Sequence, residues 1–164
     1  MITQQELKDL LHYEPSTGVF TWRKSLSNNV KIGQTAGTAA TGGYLLCMLK
    51  HRRYMLHSLA WMYVHGYFPD RQKEAVNHIN GNRSDNRIAN LRLATRREYT
   101  ANGRKRANCS SRLKGVTVHK GRFVAQICTN GTVLRLGSYA TEEEAHAAYM
   151  AAAKEEFGAF ARAE

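Results

Sequence analysis

The sequence predicts an α+β chain made of two small modules, and three observations carry that prediction. A stretch rich in asparagine and arginine, Val76 to Leu91, lies among short apolar runs of mixed helical and strand character. After Lys114 the pattern changes to apolar/polar alternation, the signature of a half-buried sheet. The chain closes on a capped, alanine-rich helical stripe. With 164 residues there is room for one common domain or two modest cores. The expected division is 1–103, a linker at 104–112, and 113–164. The linker follows from the stretch Thr100 to Arg112, which is polar and basic without apolar periodicity.

Thr3 followed by Glu6 forms a capping box, and Leu7, Leu10 and Leu11 recur at helical spacing, predicting an opening helix of about ten residues that stops near Pro15 and Gly18. Val19 to Trp22 and Tyr44 to Leu49 read as strands on either side of a Gly/Ala/Thr segment, with His51 to Tyr54 turning the chain back. Leu56, Leu59, Ala60, Tyr63 and Val64 share one helical face before Gly66. Ala75 to His78 is expected as a short strand entering a tight hairpin at Asn80-Gly81-Asn82. Asp85 or Asn86 would then cap a helix with Ile88, Leu91 and Leu93 facing inward.

In the second module Val116 and Val118 alternate with Thr117 and His119. Phe123, Ala125 and Ile127 alternate with Arg122, Val124, Gln126 and Cys128. A third strand, Thr132 to Leu136, follows the Asn130-Gly131 turn, giving three antiparallel strands. Thr141 with Glu144 is another capping box, and Ala145, Ala148, Tyr149 and Ala152 make the stripe by which a last helix covers one face of that sheet.

Lys and Arg number 24 against 13 Asp and Glu, a net charge of +11, which points to a polyanion rather than an acidic small molecule as partner. Residues 1–106 hold 17 of the basic side chains against 7 acidic ones, so the long-range field belongs to the first part. Arg92, Arg96, Arg97, Arg104, Lys105 and Arg106 follow the Asn-rich stretch, opposed only by Glu98, and suit contacts to phosphates. Cys47, Cys109 and Cys128 form no CxxC pair, which argues against a structural zinc or a disulfide framework and fits a reducing, cytoplasmic setting. No apolar run approaches a membrane span, and the first residues lack the form of a signal peptide.

The chemistry concentrates at His78, set among amides and guanidinium groups. A largely neutral imidazole can take a proton from water, oxygen donors can seat a cation, and arginines can grip a phosphodiester backbone. Asn and Gly are equally ordinary turn residues, so this grouping acquires meaning only in combination.

Two resemblances follow from these residues. Leu56-His57-Ser58-Leu59-Ala60-Trp61, with the motif from Asn77-His78 to Asn90-Leu91, resembles the HNH homing-type endonucleases common in phages, whose site is a ββα-metal fold. That likeness implies His78 as general base, Asn90 as the amide that fixes its ring, and Asn77 as first ligand of one Mg²⁺ or Mn²⁺ ion. Tyr99 stands at the second ligand position, where Asn or His is usual, and a neutral phenol is a poor ligand for a hard cation. His57 stands in the family's His-Arg-Leu element, with Ser58 in place of Arg, and is read as structural. Leu113-Lys114-Gly115-Val116, Leu136-Gly137-Ser138-Tyr139, Thr141 to Ala145, Ala148-Tyr149 and Phe157 to Arg162 resemble the AP2 DNA-binding domain. That family reads the major groove from one face of its sheet, where Lys114, Thr117, His119, Gln126, Cys128 and Arg135 fall here.

The reading is therefore a metal-dependent HNH DNA endonuclease with a double-stranded DNA partner, acting as monomer or dimer without an organic cofactor or a membrane. Arg83, Arg87, Lys120 and Arg122 complete the expected DNA contacts. A DNA-binding protein of the same architecture with an impaired nuclease site, and a basic RNA-binding or ribosome-associated protein, are the alternatives.

Overall fold

A computed structural model describes residues 2–26, 29–103, 105 and 109–163; the expected contacts Arg104 and Arg106 lie outside the described residues. The chain divides into two compact units, 1–94 and 95–164. The division falls earlier than the expected 103/104 boundary.

The first unit opens with α1 (Gln4–Leu10), capped by Thr3 and Glu6 as their spacing predicts. The helix is shorter than expected because Leu11 already belongs to β1 (Leu11–Glu14), which pairs antiparallel with β2 (Val19–Trp22). Leu11 and Tyr13 alternate inward with the polar His12 and Glu14 outward, so strand periodicity wins over the helical spacing of Leu7, Leu10 and Leu11. The Gly/Ala/Thr segment supplies two short strands, β3 (Thr35–Ala36) and β4 (Thr38–Ala39). β3 extends the first sheet, in the order β1-β2-β3, and β4 joins β5 (Leu45–Leu49) and β6 (Arg52–Met55) in a second. The reversal expected over His51 to Tyr54 is confined to Lys50 and His51, both at positive φ (48° and 61°).

Helix α2 (Leu56–His65) buries Leu56, Leu59, Ala60, Trp61 and Met62, and Gly66 ends it at φ 83°. Val64 is 42% exposed, outside the apolar face assigned to it. One core gathers Leu7, Leu11, Tyr13, Phe20, Leu49, Leu56, Leu59 and Val76, so helix, hairpin and the strand bearing His78 share a single apolar floor. β7 (Glu74–His78) pairs with β8 (Leu91–Thr95). Between them the chain forms an open loop and a 3₁₀ turn, Ile88–Asn90, rather than a two-residue hairpin and a helix. Asparagine side chains bonded to nearby backbone supply the turn chemistry: Asn82 N–H donates to Asn80 Oδ1 (2.9 Å), and Ser84 N–H to Asn82 Oδ1 (3.2 Å). Leu91 enters the core from a strand, not from a helical face.

The second unit begins with α3 (Arg96–Ala101), capped by a Thr95–Glu98 capping box within the basic stretch expected to contact phosphates. It is tied to its own unit by Lys114, whose Nζ donates to the carbonyls of Ala101 (2.6 Å) and Gly103 (2.8 Å), and by an Arg97–Glu156 ion pair. These bonds place the boundary before α3. The described part of the expected linker is likewise anchored: the N–H groups of Arg112 and Leu113 donate to Glu142 Oε1 at 2.6 and 3.0 Å.

β9 (Val116–His119), β10 (Arg122–Thr129) and β11 (Thr132–Tyr139) form an antiparallel sheet, and α4 (Glu142–Phe157) covers it. Asn130 and Gly131 both take positive φ in the hairpin turn. β11 runs three residues beyond its expected end, accommodated by a register shift at Ala125/Gln126. No helix among the described residues is long and apolar enough to cross a membrane, and all three cysteines are free thiols.

Candidate active site around His78

His78 ends β7 and is buried, at 4% exposure. Its Nε2 lies 3.2 Å from Asn86 Oδ1, and the Asn86 amino group donates to Ser84 O (3.3 Å). An amide oxygen can only accept, so Nε2 carries the ring proton and Nδ1 the lone pair, the tautomer a base requires. The ring partner is therefore Asn86, not the expected Asn90. Asn90 Oδ1 accepts from Asn80 N–H (3.0 Å), and its amino group donates to Asn80 Oδ1 (3.0 Å) and Asp85 O (2.8 Å). Asn90 thus holds the loop closed, and its carbonyl accepts from Ile79 N–H (2.9 Å), the residue after His78.

Asn86 is 1% exposed, and its carbonyl accepts a 2.7 Å bond from Tyr13 Oη. Burial lowers the His78 pKa below the usual histidine range, with the neighbouring Arg83 acting the same way, while the Asn86 bond and Asp85 oppose them. Burial, the largest of these influences, thus favours the neutral imidazole.

A second imidazole stands beside it. His57, on the first turn of α2, meets the His78 ring edge-to-face with centroids 5.0 Å apart, and Tyr44 packs on both. Its buried Nδ1 has no hydrogen-bond partner, and burial followed by the influence of His78 pushes its pKa down to about 3. The His57 side chain therefore belongs to the site's wall, and its neighbour Tyr44 was missed because a lone tyrosine at a strand entrance carries no distinguishing pattern. Arg83 lies over the Tyr44 ring at 4.8 Å and donates to Gly42 O (3.0 Å). Arg87 forks onto Asp85 through Nε (2.8 Å) and Nη2 (2.7 Å), holding that carboxylate's pKa down to about 2.

The expected Mg²⁺ or Mn²⁺ ion meets a poor donor set here. Asn77 is buried, and its Oδ1 accepts from Arg92 Nε at 3.4 Å, so the single neutral donor faces a cation. Asp85, the nearby carboxylate, is held by Arg87 and by Asn80 Nδ2 (2.8 Å). Among the described residues no group of three His, Cys, Asp or Glu side chains could hold a metal. Tyr99 belongs to the second unit, at 36% exposure on α3. The described donors around His78, Asn77 and Asp85, do not make a set that fits a hard divalent ion.

In the second unit Thr117, His119, Arg122, Gln126 and Arg135 fall on the sheet face opposite α4. The pairing of Thr117 with Val124, His119 with Arg122 and Gln126 with Arg135 defines that face. Arg122 is braced by Ser138, Nε donating to Oγ at 3.1 Å. Lys120 is exposed in the β9–β10 turn at φ 49°, Arg96 is exposed on α3, and Lys105 is half-buried. Arg97 stands over the Phe157 ring as well as pairing with Glu156. Lys114 is a correction: it is turned inward onto the end of α3, and burial lowers its pKa to about 8, so it is not available on the sheet's outer face.

Comparison with known proteins places the first site in context. Residues 54–101 match the HNH endonuclease family model. An uncharacterized HNH endonuclease of Acanthamoeba polyphaga mimivirus is 36% identical over 87 residues, covering 52% of this chain and 44% of the relative. The chain thus spans less than half of that relative's length. No solved structure matches.

Proposed function

We propose that the chain is a DNA endonuclease of the HNH homing type, with His78 as general base and an AP2-like second unit holding double-stranded DNA. The observation that carries this reading is the buried, neutral His78 ring, proton-bearing at Nε2 through Asn86, inside the stretch that matches the HNH endonuclease family. In the step assigned to it, Nδ1 takes a proton from water as the water oxygen attacks phosphorus, the P–O bond to the leaving sugar oxygen breaks, that oxygen takes up a proton from solvent to leave as the hydroxyl, and the imidazolium returns its proton to solvent. Asn86 sets the tautomer, Asn90 keeps the loop closed around it, and Arg83 supplies positive charge toward the phosphate. The outer face of the second sheet brings Thr117, His119, Gln126 and Arg135 to base edges and phosphates.

The test is plasmid nicking with Mg²⁺, with Mn²⁺ and with chelator. His78→Ala is expected to lower cutting by about 10²-fold or more while leaving DNA affinity nearly unchanged. Equal cutting by the wild type and His78→Ala overturns the reading. The Arg92 contact to Asn77 Oδ1 favours a second reading, a DNA-binding protein with an impaired nuclease centre. Tight duplex binding with intact plasmid under every metal selects it.

A further inference from the structure

The first unit carries a basic surface distinct from the His78 loop. The tip and outgoing strand of the β5–β6 hairpin read Lys50-His51-Arg52-Arg53, four consecutive basic or titratable side chains, all exposed. Lys50 and His51 take positive φ without being glycine, so the turn holds a conformation that L side chains rarely adopt while projecting them at the tip. Lys50, His51 and Arg53 also line a groove of about 1130 Å³. Its floor is largely apolar, with Trp22, Leu46 and Met48, its polar walls include Gln34, Thr35 and Thr38, and among the described residues its lining includes no Asp or Glu. Outside it Glu6 pairs with Lys50, an exposed pair, while among the described residues Arg52 and Arg53 form no ion pair.

We infer that this groove and the Lys50–Arg53 edge hold the sugar-phosphate backbone of duplex DNA, as a second backbone contact beside the His78 loop. The inference rests on the reading of the chain as a DNA-binding protein. Cations along one rim, hydroxyl and amide groups on the walls and no carboxylate among the described lining residues match a polyanion backbone, whose sugar carbons can lie on the apolar floor. An apolar ligand would use that floor but would not need the cations. The hairpin leads without a break into α2, whose first turn places His57 against His78, so this contact and the proposed cutting centre share one element.

The experiment measures anisotropy of a fluorescein-labelled 30-bp duplex over a range of salt, with the full chain. In the triple variant Lys50→Gln, Arg52→Gln, Arg53→Gln, affinity is expected to fall at least tenfold. The slope of log K against log salt should become shallower by about 2 to 3, one for each lost phosphate contact. Arg52→Lys with Arg53→Lys, which keeps the charge, should retain both affinity and slope and so separates charge loss from misfolding. Triple-variant binding within twofold of wild type with an unchanged slope overturns the inference, as does a loss confined to structured RNA. A wild type that binds no duplex at all sinks the DNA reading itself, which is a different result.

Discussion

Tyr13 Oη donates a 2.7 Å hydrogen bond to the carbonyl of Asn86, whose side chain in turn receives the ring proton of His78. The base is therefore oriented from a strand 73 residues earlier in the chain. Burial pushes the Tyr13 pKa up to about 12, so the phenol stays protonated and the bond persists across any working pH.

Asn86→Ala should remove the ring's acceptor and lower cutting about 10- to 100-fold, since a base in the wrong tautomer has no lone pair toward the water. Tyr13→Phe should leave a buried carbonyl short of its bond, costing about 1 to 3 kcal/mol in a urea titration. Nicking by Asn86→Ala at the wild-type rate would show that the ring is oriented by something else.

His57 sets a pH dependence of stability. Its pKa falls from the ordinary 6.5 to about 3 on folding, through burial first and His78 second. Between those values the unfolded chain binds a proton that the folded chain refuses, so the stabilisation is full above pH 6.5 and is lost as pH falls toward 3. His78 is depressed in the same direction. Unfolding free energy should drop by about 2 kcal/mol from pH 7.5 to 5 on account of His57, and His57→Phe should flatten that slope. An identical slope in the variant would assign the loss to other groups.

Much of this was legible in the residues, and the failures share a cause. The second sheet followed its strict alternation, and the Asn130-Gly131 turn its left-handed residues. His78 stood out because an imidazole at the end of a strand among asparagines is unusual. Its partner did not: Asn77, Asn80, Asn82, Asn86 and Asn90 are chemically equivalent in the sequence, and the choice among them depends on a loop path set by Tyr13 and Gly18, far away along the chain. Leu11 satisfied both the helical spacing with Leu7 and the strand alternation with Tyr13, and only pairing with Trp22 decides between them. Ile88 and Leu91 were three apart, as on a helix, but Leu91 opens a strand that β7 extends by one neighbour. Lys114 looked like a surface cation because nothing local shows that carbonyls await it.

Lys114 and Arg135 should behave oppositely. Lys114→Met removes two charge-assisted bonds at the end of α3 and should cost about 1 to 3 kcal/mol of stability, leaving the salt slope of DNA binding unchanged. Arg135→Ala, exposed on the outer face beside Gln126, should spare stability. It should cost about 1 to 3 kcal/mol in specific binding if it meets a guanine, or shift the slope by about 1 on all sequences if it meets phosphate. A slope change in Lys114→Met would return that residue to the DNA contacts.

Gly18 links the hairpin turn to the site by close approach. It sits at φ 76°, and a Cβ there would lie 2.4 Å from Arg87 N and 2.5 Å from Asn86 C, both backbone atoms that cannot swing aside. Gly18→Ala therefore combines a left-handed strain with displacement of the segment that carries the ring acceptor of His78. The bond from Ile88 N–H to Pro15 O, already 3.3 Å long, would open with it. Stability is expected to fall by about 2 kcal/mol or more, and nicking to fall in Gly18→Ala protein that remains folded, because Asn86 leaves the ring. By contrast Gly33→Ala, at φ 81° with nothing within 4 Å of its Cβ, carries the same backbone strain without the collision and should leave nicking intact. Equal effects of the two substitutions on nicking, compared at equal folded fraction by circular dichroism, would show that the close approach to Asn86 has no part in holding the base.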